Sequence, residues 1–199
     1  MFFLILNLCD LEMCKKKQQK PFFLTQILRG YPSEVKQIMI KITTYQPSFK
    51  DAIATLITSI QQGEFGVPIT LQDQPDLMNI DTFYQQKNGN FWCALNEEDE
   101  VVGTIALIDV GQSFGTIRKM FVREDYRGSD KGVAASLLHT LQNVALENGM
   151  NALYLGTFDK LKASHRFYDK NGFTLIQPND LPENFPRMQV DNVFFMKNL

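Results

Sequence analysis

Residues 123–149 read REDYRGSDKGVAASLLHTLQNVALENG, and the fold turns on them. A strand-like run, TIRKMFV at 116–122, leads in, and a turn punctuated by glycines follows. Val133, Ala134, Leu137, Leu138, Leu141, Val144 and Ala145 then keep the i, i+3, i+4, i+7 spacing of a single helix face. Gly149 is a natural C-terminal stop, and the helix is predicted to start near Asp130 or Lys131. Gly128 and Gly132 permit backbone conformations that a β-carbon forbids, so successive N–H groups can point into one concavity. The first N–H groups of the helix have no partner inside it, and together with the dipole they attract an anion. Arg127 and Lys131 add mobile positive charge at the rim. The same residues also suit a plain loop with a helix cap, since Ser129 and Asp130 are good N-cap residues. The glycines alone do not separate these readings.

Upstream, 38–45 has the alternation and β-branched content of a strand, and Phe49, Ala52, Ile53, Leu56, Ile57 and Ile60 fall on one helical face. A loop, EFGVPITLQDQPDLMNI, precedes a second helix predicted from about Pro75 to Gln86, which Asn88, Gly89 and Asn90 end. Three strands follow, FWCALNE, EVVGTIALIDV and TIRKMFV, on loops short enough for an antiparallel meander. Downstream of the long helix come a strand, NALYLGTF, a short helix from about Lys160 to Lys170 closed by Gly172, and two last strands, FTLIQ and NVFFMKN. Pro178, Pro182 and Pro186 keep the connection between those strands out of any central strand position. The predicted fold is α/β (α+β): a mixed, mostly antiparallel twisted sheet flanked by helices, in the order β-α-α-β-β-β-α-β-α-β-β.

At 199 residues, 44% hydrophobic and 21% charged, the chain suits one domain with a substantial core. Its net charge of −2 gives no reason to expect nucleic acid. Three cysteines, Cys9, Cys14 and Cys93, have no zinc or disulfide spacing, which fits a reducing, cytoplasmic compartment. No metal-ligand cluster is visible in the sequence. The opening MFFLILNLC lacks a basic n-region and a small-residue cleavage site, and it is too short to span a membrane. Residues 1–38 are expected to be an appendage, or to lie upstream of the true start at Met39, with the domain proper at 39–199.

Two separated stretches meet one pattern. KMFV at 119–122, YRG at 126–128, KGVAASLL at 131–138 and HRFYDKNGF at 165–173 together resemble the GNAT superfamily of acyl-CoA-dependent N-acyltransferases, and the order of elements over residues 39–199 does too. The turn departs from the superfamily spacing of Gln or Arg, two residues, Gly, one residue, then Gly or Ala. Gly132 and Ala134 fit its last two positions, but its first then falls on Ser129. Arg127 and Gly128 fit the start instead, with Ser129 and Asp130 as two extra residues. The asparagine usual before the last helix is replaced by Lys160 or Leu161.

The resemblance implies acetyl-CoA as co-substrate and an N-acetyltransferase acting on a primary amine of a small molecule or peptide. It implies no metal and leaves room for a homodimer. The pyrophosphate would lie on the backbone from Arg127 through Gly128, Ser129, Asp130, Lys131, Gly132 and Val133 to Ala134, and the pantetheine arm along Met120, Phe121 and Val122. An N–H of Phe121 or Val122 would face the thioester oxygen. Tyr168 is the expected general acid, protonated at neutral pH and able to serve the departing thiolate. With Ala163 and Phe167 taken as the buried pair of its helix, Tyr168 is expected to point toward another face. Glu64 is the first choice of general base. His139 and His165 are read as ordinary helix residues. Asp73, Asp76, Asp180, Glu183 and Asp191 on the two acceptor-side loops favour a cationic acceptor such as a polyamine, although solvated loop carboxylates explain the same residues. The alternative from another class is a catalytically inactive acyl-CoA-binding sensor.

Overall fold

In a computed structural model, residues 39–199 are described. They form β1 (Lys41–Thr44), α1 (Lys50–Thr58), α2 (Pro75–Met78), α3 (Ile80–Tyr84), β2 (Asn90–Leu95), β3 (Val101–Gly111), β4 (Phe114–Val122), α4 (Val133–Glu147), β5 (Ala152–Thr157), α5 (Lys162–Lys170), β6 (Thr174–Ile176) and β7 (Val193–Asn198). The reading of residues 1–38 as an appendage lies outside the described residues.

The seven strands form one sheet in the order β1-β2-β3-β4-β5-β7-β6. Its neighbours are antiparallel except for β4 and β5, which are parallel and joined by α4, as a crossover requires. Each face of the sheet carries its own core. Val133, Leu137, Leu138 and Leu141 of α4 pack on Trp92, Ile105, Ile117 and Leu155 on one face. Ile53, Leu56 and Ile57 of α1, with Leu77, Ile80 and Tyr84, cover Phe91, Cys93 and Ala106 on the other. The alternation of β2 explains the division, because successive side chains point to opposite faces.

Two boundaries differ from expectation. The second helix is broken into α2 and α3 at Asn79, whose φ of −138° is not helical. The long helix begins at Val133 rather than near Asp130, because Gly132 sits in the left-handed region with φ +66°. After α1 the chain continues as a π-helical turn, Ser59–Glu64. No helix among the described residues is long and apolar enough to cross a membrane.

Candidate active site

The site grows out of a parting in the sheet. β4 and β5 pair from Phe114 opposite Ala152 to Ile117 opposite Leu155 and no further. Beyond that point β4 runs on with β3, and β5 runs on with β7. The edge of β4 from Arg118 to Val122 is therefore open toward β5, as Gly156 and Thr157 are toward β4.

An irregularity in β4 shapes this edge. Thr104 pairs with Phe121 and Ala106 with Arg118, so Ile105 alone faces both Lys119 and Met120. This is a bulge, and Lys119 sits in it with φ +48°, a conformation that costs a lysine about 1–3 kcal/mol. Its carbonyl accepts the Thr104 hydroxyl at 2.7 Å. Met120 packs with the α4-side core and Phe121 with the other. Arg118 and Lys119 both project on the α1–α3 side, where regular alternation would have separated them. Lys119 Nζ reaches Asp76 Oδ2 at 3.0 Å and Gln74 Oε1 at 2.7 Å, with the Lys119 and Asp76 side chains 5% and 7% exposed. The Tyr84 hydroxyl also donates to Asp76. Burial holds the Lys119 amine below its ordinary pKa, opposed by the Asp76 charge. Arg118 Nη1 donates to the Pro186 carbonyl at 2.6 Å. The bulge thus ties both acceptor-side loops to β4.

Of the two backbone donors expected near the thioester, hydrogen-bond parity selects one. Arg123 N donates to Val102 O at 2.8 Å, so Arg123 and Phe121 direct their amides toward β3, and Val122 directs its own away, into the parting. The Val122 carbonyl, pointing the same way, accepts Arg127 Nε at 2.6 Å.

In the turn before α4, the side chains of Arg127 and Lys131 are already engaged. Gly128 has φ +119°, and a β-carbon there would strike Asp130 Oδ1. Gly132 N is bonded to Gly128 O at 3.3 Å. No side chain caps α4, so its first N–H groups, from Val133 and Ala134 onward, remain for an anion. Ser129 and Asp130 are exposed and do not cap the helix. Arg127 and Lys131 are not the mobile charges expected. Arg127 forms a two-pronged pair with Glu64 at 2.6 and 2.8 Å, and Lys131 Nζ donates to Asp125 O at 2.6 Å.

That pairing bears on the reading of Glu64, whose two carboxylate oxygens are both held by one guanidinium. Glu64 borders an open groove of about 960 Å³ that includes Asp51, Glu100, Glu124 and Arg123 but none of the open edge of β4.

Tyr168 is corrected in its placement. It is the buried residue of α5, 6% exposed, while Ala163 is exposed and Phe167 half-buried. The ring lies in the α4-side core, with centroids 5.5 Å from Phe173 and 5.9 Å from Phe195. Burial, assisted by the Asp191 charge, pushes its hydroxyl well above the ordinary tyrosine pKa, so it stays a proton donor at neutral pH. His165 faces the Phe158 carbonyl at 3.0 Å, and His139 is exposed. The buried Cys93 thiol is pushed up to about 12 by desolvation, far from a thiolate nucleophile. No metal-holding cluster of His, Cys, Asp or Glu occurs among the described residues.

The carboxylates behind the cationic-acceptor argument are largely committed within the fold. Asp73 accepts the Thr70 amide and hydroxyl, Asp76 holds Lys119 and Tyr84, and Asp180 caps Gln177. Asp191 is buried and accepts the Met188 amide at 3.2 Å. Sequence reading missed two features. The bulge left only a trace, the adjacent Arg118 and Lys119 in an otherwise alternating strand. The seat of Asp191 left a clearer one, because Gly156 lies inside strand β5, where glycine marks a close approach.

Comparison with known proteins agrees with this architecture. An acetyltransferase of the GNAT family from Staphylococcus aureus is 39% identical, with TM-score 0.78 over 80% of this chain and 99% of its own. An acetyltransferase from Streptococcus agalactiae is 29% identical, with TM-score 0.75 over 82% of this chain and 99% of its own. The N-acetylaspartate synthetase of Danio rerio is 29% identical over 125 residues, which is 60% of this chain and 43% of that relative's length. Residues 55–173 match the Acetyltransferase (GNAT) family. That match spans more than half of the chain, which therefore belongs to that family and is an acyl-CoA-dependent N-acyltransferase.

Proposed function

We propose that the protein transfers the acetyl group of acetyl-CoA to a primary amine of a small molecule or peptide, by direct attack of the amine. The observation that carries this reading is the open edge of β4 beyond Ile117, with the buried Tyr168 in the core on one side of the sheet. Acetyl-CoA supplies the activated thioester. The backbone from Gly128 to Ala134 binds the pyrophosphate through main-chain donors rather than through Arg127 or Lys131, which are already engaged. The Val122 amide stabilises the developing oxyanion, a contribution of a few kcal/mol in comparable sites. Tyr168 protonates the leaving thiolate.

The acceptor is read from what lies on the α1–α3 side of the parting. The charges of Arg118, Arg187 and Lys119 act on Asp191 there, with Lys119 paired to Asp76 and Arg118 to the Pro186 carbonyl, and the name of the zebrafish relative adds weight to an acceptor that carries a carboxylate beside its amine. Free-thiol release should be measured with acetyl-CoA against aspartate, a neutral amino acid, lysine and a polyamine. Amine-dependent release is expected, greatest with the acidic amino acid. Tight acetyl-CoA binding without release from any amine would instead identify an inactive acyl-CoA sensor, and release confined to polyamines would overturn the acceptor class.

A further inference from the structure

We propose that Asp191 is the carboxylate that accepts the proton of the attacking amine, from the face of the sheet opposite Tyr168. This rests on the acetyl-transfer reading above and completes it, because Glu64 is engaged elsewhere.

Placement carries the argument. Asp191 lies in the connection before β7 and is 9% exposed. It sits directly on Gly156, the residue of β5 just past the last pairing with β4. A β-carbon on Gly156 would lie 2.5 Å from Asp191 Cγ and would run into Oδ2, so glycine is what admits the carboxylate to the parting. Side chains of β5 alternate. Leu155 belongs to the α4-side core that contains Tyr168, and Gly156 therefore presents Asp191 on the other side. β7 repeats the division: Phe195, opposite Leu155, touches Tyr168, and Phe194, opposite Gly156, lies under Arg187. A thioester lying in the parting has a proton donor for sulfur on one side and a carboxylate for nitrogen on the other.

The seat is rigid. Asp191 N donates to Met188 O at 3.1 Å, and Asp191 Oδ2 accepts Met188 N at 3.2 Å. The next residue is pinned twice, Asn192 N to Thr157 O at 3.0 Å and Asn192 Oδ1 to Asp159 N at 2.9 Å. Among the described residues none donates a hydrogen bond to Oδ1 of Asp191, which leaves it open to a substrate N–H. The charged groups that act on Asp191 are Arg118, Arg187 and Lys119, which favour its ionised form, and the Tyr168 hydroxyl, which its charge holds protonated. Desolvation outweighs the Met188 hydrogen bond and the three cations and raises the carboxyl above its ordinary value, the direction that makes a better base.

In the step, the amine lone pair forms the N–C bond, and the C–S bond breaks with its electron pair on sulfur. The surplus proton on nitrogen passes to Asp191, and the Tyr168 hydroxyl gives its proton to the thiolate. Asp191 then releases its proton to water and Tyr168 recovers one, so atoms and charge balance.

The full-length chain and its Asp191→Asn, Asp191→Glu and Gly156→Ala variants test this. Each is assayed for thiol release across pH and, separately, by calorimetric titration with CoA alone. Asp191→Asn is expected to lower kcat/KM by about 100-fold or more and to remove the acidic limb of the profile while binding CoA as the wild type does. Asp191→Glu should recover part of the rate, and Gly156→Ala should lose rate by displacing the carboxylate. Asp191→Asn with wild-type kcat/KM and an unchanged acidic limb would overturn the proposal and leave acetyl transfer standing. An equal loss of rate and of CoA affinity would also overturn it, by showing a structural role. A wild type that releases no thiol with any amine overturns both readings.

Discussion

At the scale of single residues, the proposed site centres on two titrating groups displaced from their ordinary pKa values by burial. Tyr168 is held protonated by an apolar environment that also packs it. Tyr168→Phe retains the ring packing and removes only the hydroxyl. We expect CoA affinity and thermal midpoint to stay near wild type while kcat falls by about 100-fold or more; an unchanged kcat in steady-state assays would remove Tyr168 from the chemistry. Asp191 is displaced in the direction that costs stability. Its carboxyl titrates higher in the native state than in the unfolded chain, so between the two values the native state holds a proton that the unfolded chain has released. Stability accordingly falls as pH rises through that window, and the cost is fully present above it. Asp191→Asn removes the cost. Its thermal midpoint at pH 7 is expected to match or exceed that of the wild type, with the advantage shrinking as pH falls toward the ordinary carboxylate value of about 4. Thermal unfolding at several pH values checks the sign, and gained stability with lost turnover would mark the residue as functional.

At the scale of elements, β4 is the unit that organises the site. Its bulge spends backbone strain at Lys119 to place two cations on one face, and the Lys119–Asp76 pair holds the strained conformation against α2. A buried pair adds little net stability compared with an apolar substitute, but removing one partner strands the other charge. Lys119→Met is therefore expected to destabilise the fold by about 3 kcal/mol, and Lys119→Met with Asp76→Leu to regain much of that loss. Denaturant unfolding of the single and double variants measures the difference. The turn before α4 works by another route. Gly128 and Gly132 hold left-handed backbone conformations, while Arg127 and Lys131 brace the turn.

For the molecule as a whole, two cores on one sheet divide the labour. The α4 side carries the glycine turn and Tyr168, and the α1–α3 side carries the bulge cations and Asp191. Binding in the parting links both halves, so acetyl-CoA should raise the thermal midpoint of unfolding by several degrees at saturating concentration while ATP leaves it unchanged. An equal rise with ATP would show that the turn recognises phosphate without the rest of the ligand. Among the described residues, 39–199, lie two hydrophobic cores and every residue assigned a role. A chain beginning at Met39 is thus expected to keep the same kcat/KM, and its loss on truncation would assign a part to residues 1–38.

Local chemistry made most of this readable in advance. Periodicity marked α4 by Val133, Leu137, Leu138, Leu141 and Ala145, all buried, with Ala134 and Val144 of the same face partly buried. Short-range rules went wrong where a distant contact decided the outcome. Tyr168 rather than Ala163 faces inward because Phe173 and Phe195 close around it. Glu64 was a plausible free carboxylate until the fold set it against Arg127, 63 residues away. Asp191 looked like one loop acid among five, and only the approach of its connection to Gly156 distinguishes it. Sequence by itself determined which elements form, since propensity and spacing act over a few residues. Tertiary structure decided which charges are paired, which are buried and which face the parting, because those depend on partners that meet only when the sheet closes.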